Sequence, residues 1–248
     1  GVAALLAQRG FRQSRYEDVP EPADAGEKTE WAFGRLRYPS GNYGRYWGRG
    51  SWATDFPKAD RQFVQGVRRL TRLHTRSVEQ VVDPDAADEI FRWPWIYAVE
   101  VGHWSLTDEQ CRKIREYLLR GGFLMTDDFH GTEEWEGFMA SMTRIFPDRP
   151  IVEIENSDAI FHVLYDIDEK IQVSNVRLAG TSRTYEKDGI VPHWRGIYDD
   201  RGRIMVAICF NQDNGDAWEW ADLPEYPEKV ASQAYRVGIN YIVYAMTH

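Results

Sequence analysis

Gly121-Gly122-Phe123-Leu124-Met125-Thr126-Asp127-Asp128-Phe129-His130-Gly131 decides the fold. A helix stops at the glycine pair, an apolar run follows, and the run ends in two carboxylates and a histidine before a new helix opens. A short continuous apolar run between turn signals reads as a buried strand. Open α/β sheets place their ligand sites beyond the carboxyl ends of such strands. Asp127, Asp128 and His130 are therefore the first candidate site residues.

Upstream, Pro94 to Val101 reads as another strand, and Thr107-Asp108-Glu109-Gln110 is a capping box that opens a helix. That helix buries Cys111, Ile114, Tyr117 and Leu118 and closes on Gly121-Gly122. Strand, helix, strand in this rhythm is a parallel βαβ unit with a right-handed crossover. Downstream, Thr132-Glu133-Glu134 starts a helix carrying Trp135, Phe138, Met139, Met142 and Ile145, which ends before Pro147. Ile151 to Ile154 is a strand, and Ile160 to Asp166 is either another or a loop crossing the sheet's end. Gly180 to Pro192 is polar and aperiodic, an exposed excursion. Tyr198 to Arg203 is a turn between extended segments, Ile204 to Phe210 a core strand, and Ala234 to Met246 an apolar helix.

Toward the amino end, Trp31 to Tyr38 alternates apolar with small or basic residues, as a first strand does. Thr54-Asp55-Phe56-Pro57-Lys58-Ala59-Asp60 reads as a helix start, and capping with the helix dipole accounts for both aspartates. Phe63, Val67, Leu70 and Leu73 follow at helical spacing. Ser77 to Val82 is a short β-branched run, and Ala86 to Phe91 has room for one or two helical turns. Residues 31–248 thus form a single α/β domain on an open, mostly parallel, doubly wound sheet. Residues 1–30 are an N-terminal segment and acidic linker.

The 248 residues carry a net charge of −9, which argues against the basic footprint that nucleic-acid binding needs. Cys111 and Cys209 read as two buried free thiols. With 10 Trp, 13 Tyr and 11 Phe, the chain has aromatics enough for an interaction surface as well as a core. A glycine-rich loop interleaves Tyr43, Arg45, Tyr46, Trp47, Arg49 and Trp52. Those side chains suit an anionic or planar ligand or a partner, and a loop packed on its own rings is the alternative. Val2 to Gln8 reads either as the tail of a signal peptide's apolar segment or as an ordinary amphipathic helix, and a segment retained in the mature protein would suit a membrane surface or a partner.

Asp127, Asp128, His130 and Glu133 offer ligands for a divalent metal, or a carboxylate–histidine acid–base pair. Adjacent strand residues point to opposite faces, so the two aspartates converge only if the backbone turns between them. Hydrogen bonding to loop amides would use the same groups. Asn211, Asp213 and Asp216 resemble part of a calcium loop with its glycine one place too early and its terminal glutamate at the wrong spacing. His162 with Asp166, and His193, read as structural histidines. Asp55, Asp213 and Asp216 complete the candidate set, and no organic cofactor is expected.

Trp52-x-Thr54-Asp55-Phe56-Pro57-x-Ala59-Asp60, the central stretch, Phe146-Pro147-Asp148-Arg149, Ile160-Phe161-His162, Asn211-x-Asp213-x-Gly215-Asp216-x-Trp218-Glu219 and Gly238 to His248 occur together. In this combination the chain, from about Trp31 to His248, resembles a bacterial family known only as domain of unknown function 4159. The resemblance implies a class I glutamine amidotransferase-like, flavodoxin-like fold and a periplasmic or cell-envelope setting. It departs from true amidotransferases, which need a cysteine on a tight strand-to-helix turn; here that turn holds Asp127, Asp128 and His130. The expectation is a non-catalytic accessory protein docking on a protein partner such as a membrane-associated complex. The alternatives are a metal-assisted hydrolase at Asp127, Asp128 and His130, and a carbohydrate or small-molecule receptor.

Overall fold

A computed structural model describes residues 21–41, 50–179 and 181–248 of the chain. One sheet holds β1 (Gly34–Leu36), β2 (Gln80–Val82), β3 (Trp95–Val99), β4 (Phe123–Asp127), β5 (Val152–Glu153), β6 (His193–Tyr198) and β7 (Ile204–Phe210). Their spatial order is β2-β1-β3-β4-β7-β6-β5. The first five run parallel, in the strand order of a flavodoxin-like doubly wound sheet. β6 and β5 extend it as an antiparallel edge. The helices are α1 (Lys58–Leu70), α2 (Asp108–Leu119), α3 (Gly131–Ile145), α4 (Asn214–Glu219) and α5 (Glu228–Thr247).

Strand alternation distributes the core to both faces. Trp95, Tyr97, Phe123 and Met125 pack on one side with α1, α4 and α5. Ile96, Ala98 and Leu124 pack on the other with α2 and α3. Cys209 belongs to the first layer and Cys111 to the second; both are buried and free, so the sheet itself keeps them apart. The aromatic excess is largely interior: Phe63 stacks 4.2 Å from Trp218, and Trp31, Phe33, Trp95 and Tyr97 fill the same layer. The expectation that these rings also build surface does not hold for that cluster.

The β3–α2–β4 unit forms as its sequence implies. Gln110 N donates to Thr107 Oγ1 and Thr107 N to Gln110 Oε1, closing the capping box. Past the end of α2, Gly121 turns with φ 108°, and a Cβ at Gly122 would meet the Tyr117 ring at 2.3 Å. Only glycine lets the chain drop from the helix straight into β4.

Several expectations shift. The helix after β1 starts at Lys58 with no side-chain cap. Asp55 instead takes a left-handed turn with φ 59°, and Asp60 reaches under β1 to pair with Arg35. Arg35 is fully buried, its charge met by Asp60, whereas Arg37 on the same segment is exposed. Leu70, expected in the buried stripe, is 51% exposed, and Val64 takes that role. Ile160 to Asp166 is a loop beginning with a 3-10 turn at Ala159–Phe161. Asn240 of α5 replaces strand pairing there, bonding both Tyr165 N (2.9 Å) and Tyr165 O (2.8 Å). Ile151–Ile154 shrinks to β5, Ala86–Phe91 to a 3-10 turn at Glu89–Arg92, and the last helix begins six residues early, at Glu228 rather than Ala234.

Candidate functional site at the carboxyl edge of the sheet

Three strands end in the same way. The residue after β3 is Glu100 (φ 53°), the residue closing the β4 turn is Asp128 (φ 55°), and the residue after β7 is Asn211 (φ 61°). With Asp55, four non-glycine residues adopt the left-handed conformation along one sheet edge, where each costs about 1–2 kcal/mol. Such outliers concentrate where a fold positions polar groups for use.

The turn separates the two central aspartates. Asp127 is the last residue of β4 and points into the α1/α4/α5 layer. Its Oδ2 accepts from Tyr97 Oη (2.8 Å) and Gly215 N (3.0 Å), and its Oδ1 from Asn214 Nδ2 (2.7 Å). Burial lifts its carboxyl to about 6, against those three donors. Asp127 therefore pins α4 to β4, the loop-tethering role open to it from sequence.

Asp128 faces the crevice. Its amide donates to Gln212 O, and its carboxylate meets His130 Nε2 at 3.2 Å. Carboxylate oxygens of Asp55, Asp128 and Asp213 all lie within 4.8 Å of one another. The three residues are 5%, 6% and 0% exposed and come from three separate connections. Asp213 also caps α4, accepting from Asp216 N, and holds Asn175 Nδ2. Burial pushes the carboxyls of Asp128 and Asp213 well up, and the neighbouring carboxylates, Asp55 and Glu186 among them, push further the same way.

The cluster continues in both directions. Asp55, Asp216 and Glu219 form one adjoining group, and Asp128, His130 and Glu186 another. His130 is 5% exposed, and its Nδ1 has no hydrogen-bond partner among the described residues. Farther along the edge, Glu134 accepts from His103 Nε2 (2.7 Å), His130 N and Lys187. Although burial works against it, hydrogen bonds from His103 and Lys187 bring its carboxyl down to about 2. Glu100 lies beside this pair, pushed well up by burial and by Asp128 and Glu134.

The polar excursion is not simply exposed. Asp188 bonds Thr132 N (3.0 Å) and Oγ1 (2.6 Å), Lys187 pairs with Glu134, and Asn211 Nδ2 holds Val191 O (2.7 Å). These contacts fold residues 186–191 back over the strand ends.

Asp55, Asp128, His130, Asp213 and Asp216 thus come together, while Asp127 serves the framework. Glu133 is exposed, and its neighbour Glu134 is the buried one. Trp52 is half-buried against Phe56 (5.5 Å), and its carbonyl takes Arg35. Tyr43, Arg45, Tyr46, Trp47 and Arg49 lie outside the described residues. His162 pairs with Asp166 (2.9 Å), and His193 with Glu153 (2.6 Å) near the sheet's antiparallel edge. Sequence reasoning missed Glu100, His103, Glu134, Glu186 and Glu219. The first two were findable by applying to β3 the strand-end rule that singled out Asp128.

A crowd of hard oxygen donors with one imidazole suits Mg, Mn or Ca ions better than a soft metal. The model of the family described as "Domain of unknown function (DUF4159)" matches residues 32–246. No curated protein matches the chain.

Proposed function

Starting from the family to which this chain belongs, whose description carries no reaction, we propose that the crevice is a divalent-cation site of a metal-assisted hydrolase. Asp55, Asp128 and Asp213 would hold the cation, which would supply Lewis-acid activation of water, and His130, 3.2 Å from Asp128, is placed to take up a proton. One observation carries the reading: three buried carboxylates from three connections converge within 4.8 Å. Like charges this close and this dry resist ionising together unless a cation neutralises them. The amidotransferase-like kinship belongs to the same proposal, with Asp128 on the strained strand-to-helix turn where those enzymes hold their cysteine.

Elemental analysis of untagged protein and thermal melting with added Mg, Mn, Ca or Zn ions test it. Bound metal, or a rise in melting temperature that Asp128→Asn abolishes, is expected. Less than about a tenth of an equivalent of any divalent metal, with no stabilisation by any of the four, overturns it. A panel of phosphate, carboxylate and peptide esters assayed with the stabilising ion then separates hydrolysis from binding alone.

A cell-envelope docking role is the second reading. Ile190 and Val191, exposed by 61% and 58% at the tip of the excursion, support it as an apolar contact beside the crevice. Among the described residues no helix is long and apolar enough to cross a membrane. Loss of a co-purifying envelope protein on Ile190→Ser with Val191→Ser is the expected outcome; unchanged co-purification removes the support.

A further inference from the structure

At the opposite end of the sheet, before β4 and β7 begin, lies a cavity of about 490 Å³. Arg120, Arg149, Arg201 and Arg203 line it, with Asp199 and Asp200 as the facing acids. In a chain of net charge −9, four guanidinium groups on one cavity are a local inversion of the molecule's charge.

The four have different duties. Arg203 is committed to the framework: its Nη1 and Nη2 donate to the carbonyls of Gly122 (3.2 Å) and Leu118 (3.0 Å), and its Nε to Asp199 (3.3 Å). Those bonds cap the end of α2 and fix one wall. Asp199 is held by the same arginine and by the amides of Arg201 and Arg203, so its charge is occupied. Arg120 pairs with Glu116 at the surface (2.7 Å).

Arg149 is different. Its side chain is 15% exposed, and its Nη1 donates to Tyr198 O (3.2 Å) and Asp200 Oδ1 (2.9 Å). Its Nε is buried with no acceptor. Nη2 has no acceptor among the described residues either, so the Nε–Nη2 edge is without a protein partner there. That edge is the fork with which arginine grips an oxyanion through two parallel bonds. A buried charged donor without an acceptor is costly, and a ligand oxygen would remove the cost. Arg201, exposed on the adjoining turn, has no side-chain partner among the described residues and supplies a second cation.

We infer that this cavity binds a phosphate-bearing small molecule, gripped by Arg149 and completed by Arg201. A carboxylate engages one guanidinium fork edge to edge, whereas the three or four tetrahedral oxygens of a phosphate can meet a second guanidinium from another direction. The volume falls in the range of small-molecule sites and exceeds what one phosphate fills, which favours a phosphate ester or diphosphate over free phosphate.

Calorimetric titration of the full chain with pyrophosphate, inorganic phosphate and a sugar phosphate tests this, in EDTA so that no cation at the acidic crevice contributes. One site is expected, tighter for pyrophosphate or the sugar phosphate than for inorganic phosphate, and weakening as salt rises. Arg149→Gln should weaken it by about tenfold or more, and Arg149→Lys should not rescue it, because the fork is lost. Arg201→Gln, at an exposed side chain without partners, leaves folding intact and should weaken binding several-fold. No heat with any of the three at about 10 mM, or equal affinity in parent and Arg201→Gln, overturns the site. Because EDTA leaves this titration untouched by metal, a cation-free crevice would not disturb the result.

Discussion

Asp60 beneath β1 and Asp128 beyond β4 are both buried, and the fold treats them in opposite ways. Asp60 receives Arg35 through two of its guanidinium nitrogens, and Arg35 Nη1 also holds the carbonyl of Thr54 (3.2 Å). That ion pair ties β1 to α1 and steadies the loop that presents Asp55. Asp128 meets burial in company that makes it worse, with Asp55, Glu186, Asp127 and Asp216 as its charged neighbours. An acid neutralised by the protein belongs to its framework; one left among other acids is arranged for a charge that comes from outside.

The largest effect should come from breaking the compensated side. Arg35→Met leaves Asp60 buried without its partner and should cost about 3–5 kcal/mol in urea unfolding. A loss below about 1 kcal/mol would mean that Asp60 needs no neutralisation, and the contrast with Asp128 would collapse. Asp127→Asn comes next. The amide keeps the Oδ2 acceptor for Tyr97 and Gly215 but turns a donor toward Asn214 Nδ2, so about 1–3 kcal/mol should be lost. Stabilisation by added cation should persist in this variant. If it vanishes, Asp127 is a ligand and the division of labour between the adjacent aspartates is wrong.

The fold could be read from sequence because its determinants are local. The capping box, the glycine pair and the apolar run of β4 are all contiguous, and they built the central βαβ unit as expected. The site was half readable. Asp128, His130 and Asp213 sit on turns directly after core strands, where a strand-end rule finds them. Asp55 and Glu134 join through tertiary turns, and Asp55 enters only because a left-handed backbone points it away from the helix it was expected to cap. Arg35 stood only as a basic position of an alternating strand, since nothing local announces that an aspartate 25 positions later will cover it. The rings misled for the same reason: composition counts aromatics, and only the fold says that most of those described face inward.

Asp128→Asn tests the other side of the comparison. Removing one charge from the crowd should raise stability by about 1 kcal/mol in cation-free buffer, read as a higher urea midpoint. The same variant should lose the stabilisation that divalent ions give the parent. Lower stability together with an undiminished cation response would make Asp128 a framework residue like its neighbour.

The smallest effect is the most diagnostic, because it needs no substitution. The carboxyls of Asp60, Glu100, Asp127, Asp128 and Asp213 are raised by burial, to about 6 for Asp60 and Asp127. A carboxyl raised on folding binds its proton more tightly in the native state, so stability rises as pH falls from above the raised value toward the ordinary aspartate range near 4. Glu134 acts in the opposite sense: its carboxyl is depressed to about 2, so its contribution is present above the ordinary glutamate value and is lost as pH falls toward 2. Metal-free protein should therefore melt higher at pH 5.5 than at pH 7.5, by about 2 °C, before the Glu134 loss reverses the trend in stronger acid. Saturating cation should reduce that slope, since an ion at the crevice removes the share of Asp128 and Asp213 and leaves that of Asp60, Glu100 and Asp127. A slope that neither saturating cation nor Asp128→Asn reduces would trace the pH dependence to other groups and leave the crevice without its electrostatic signature.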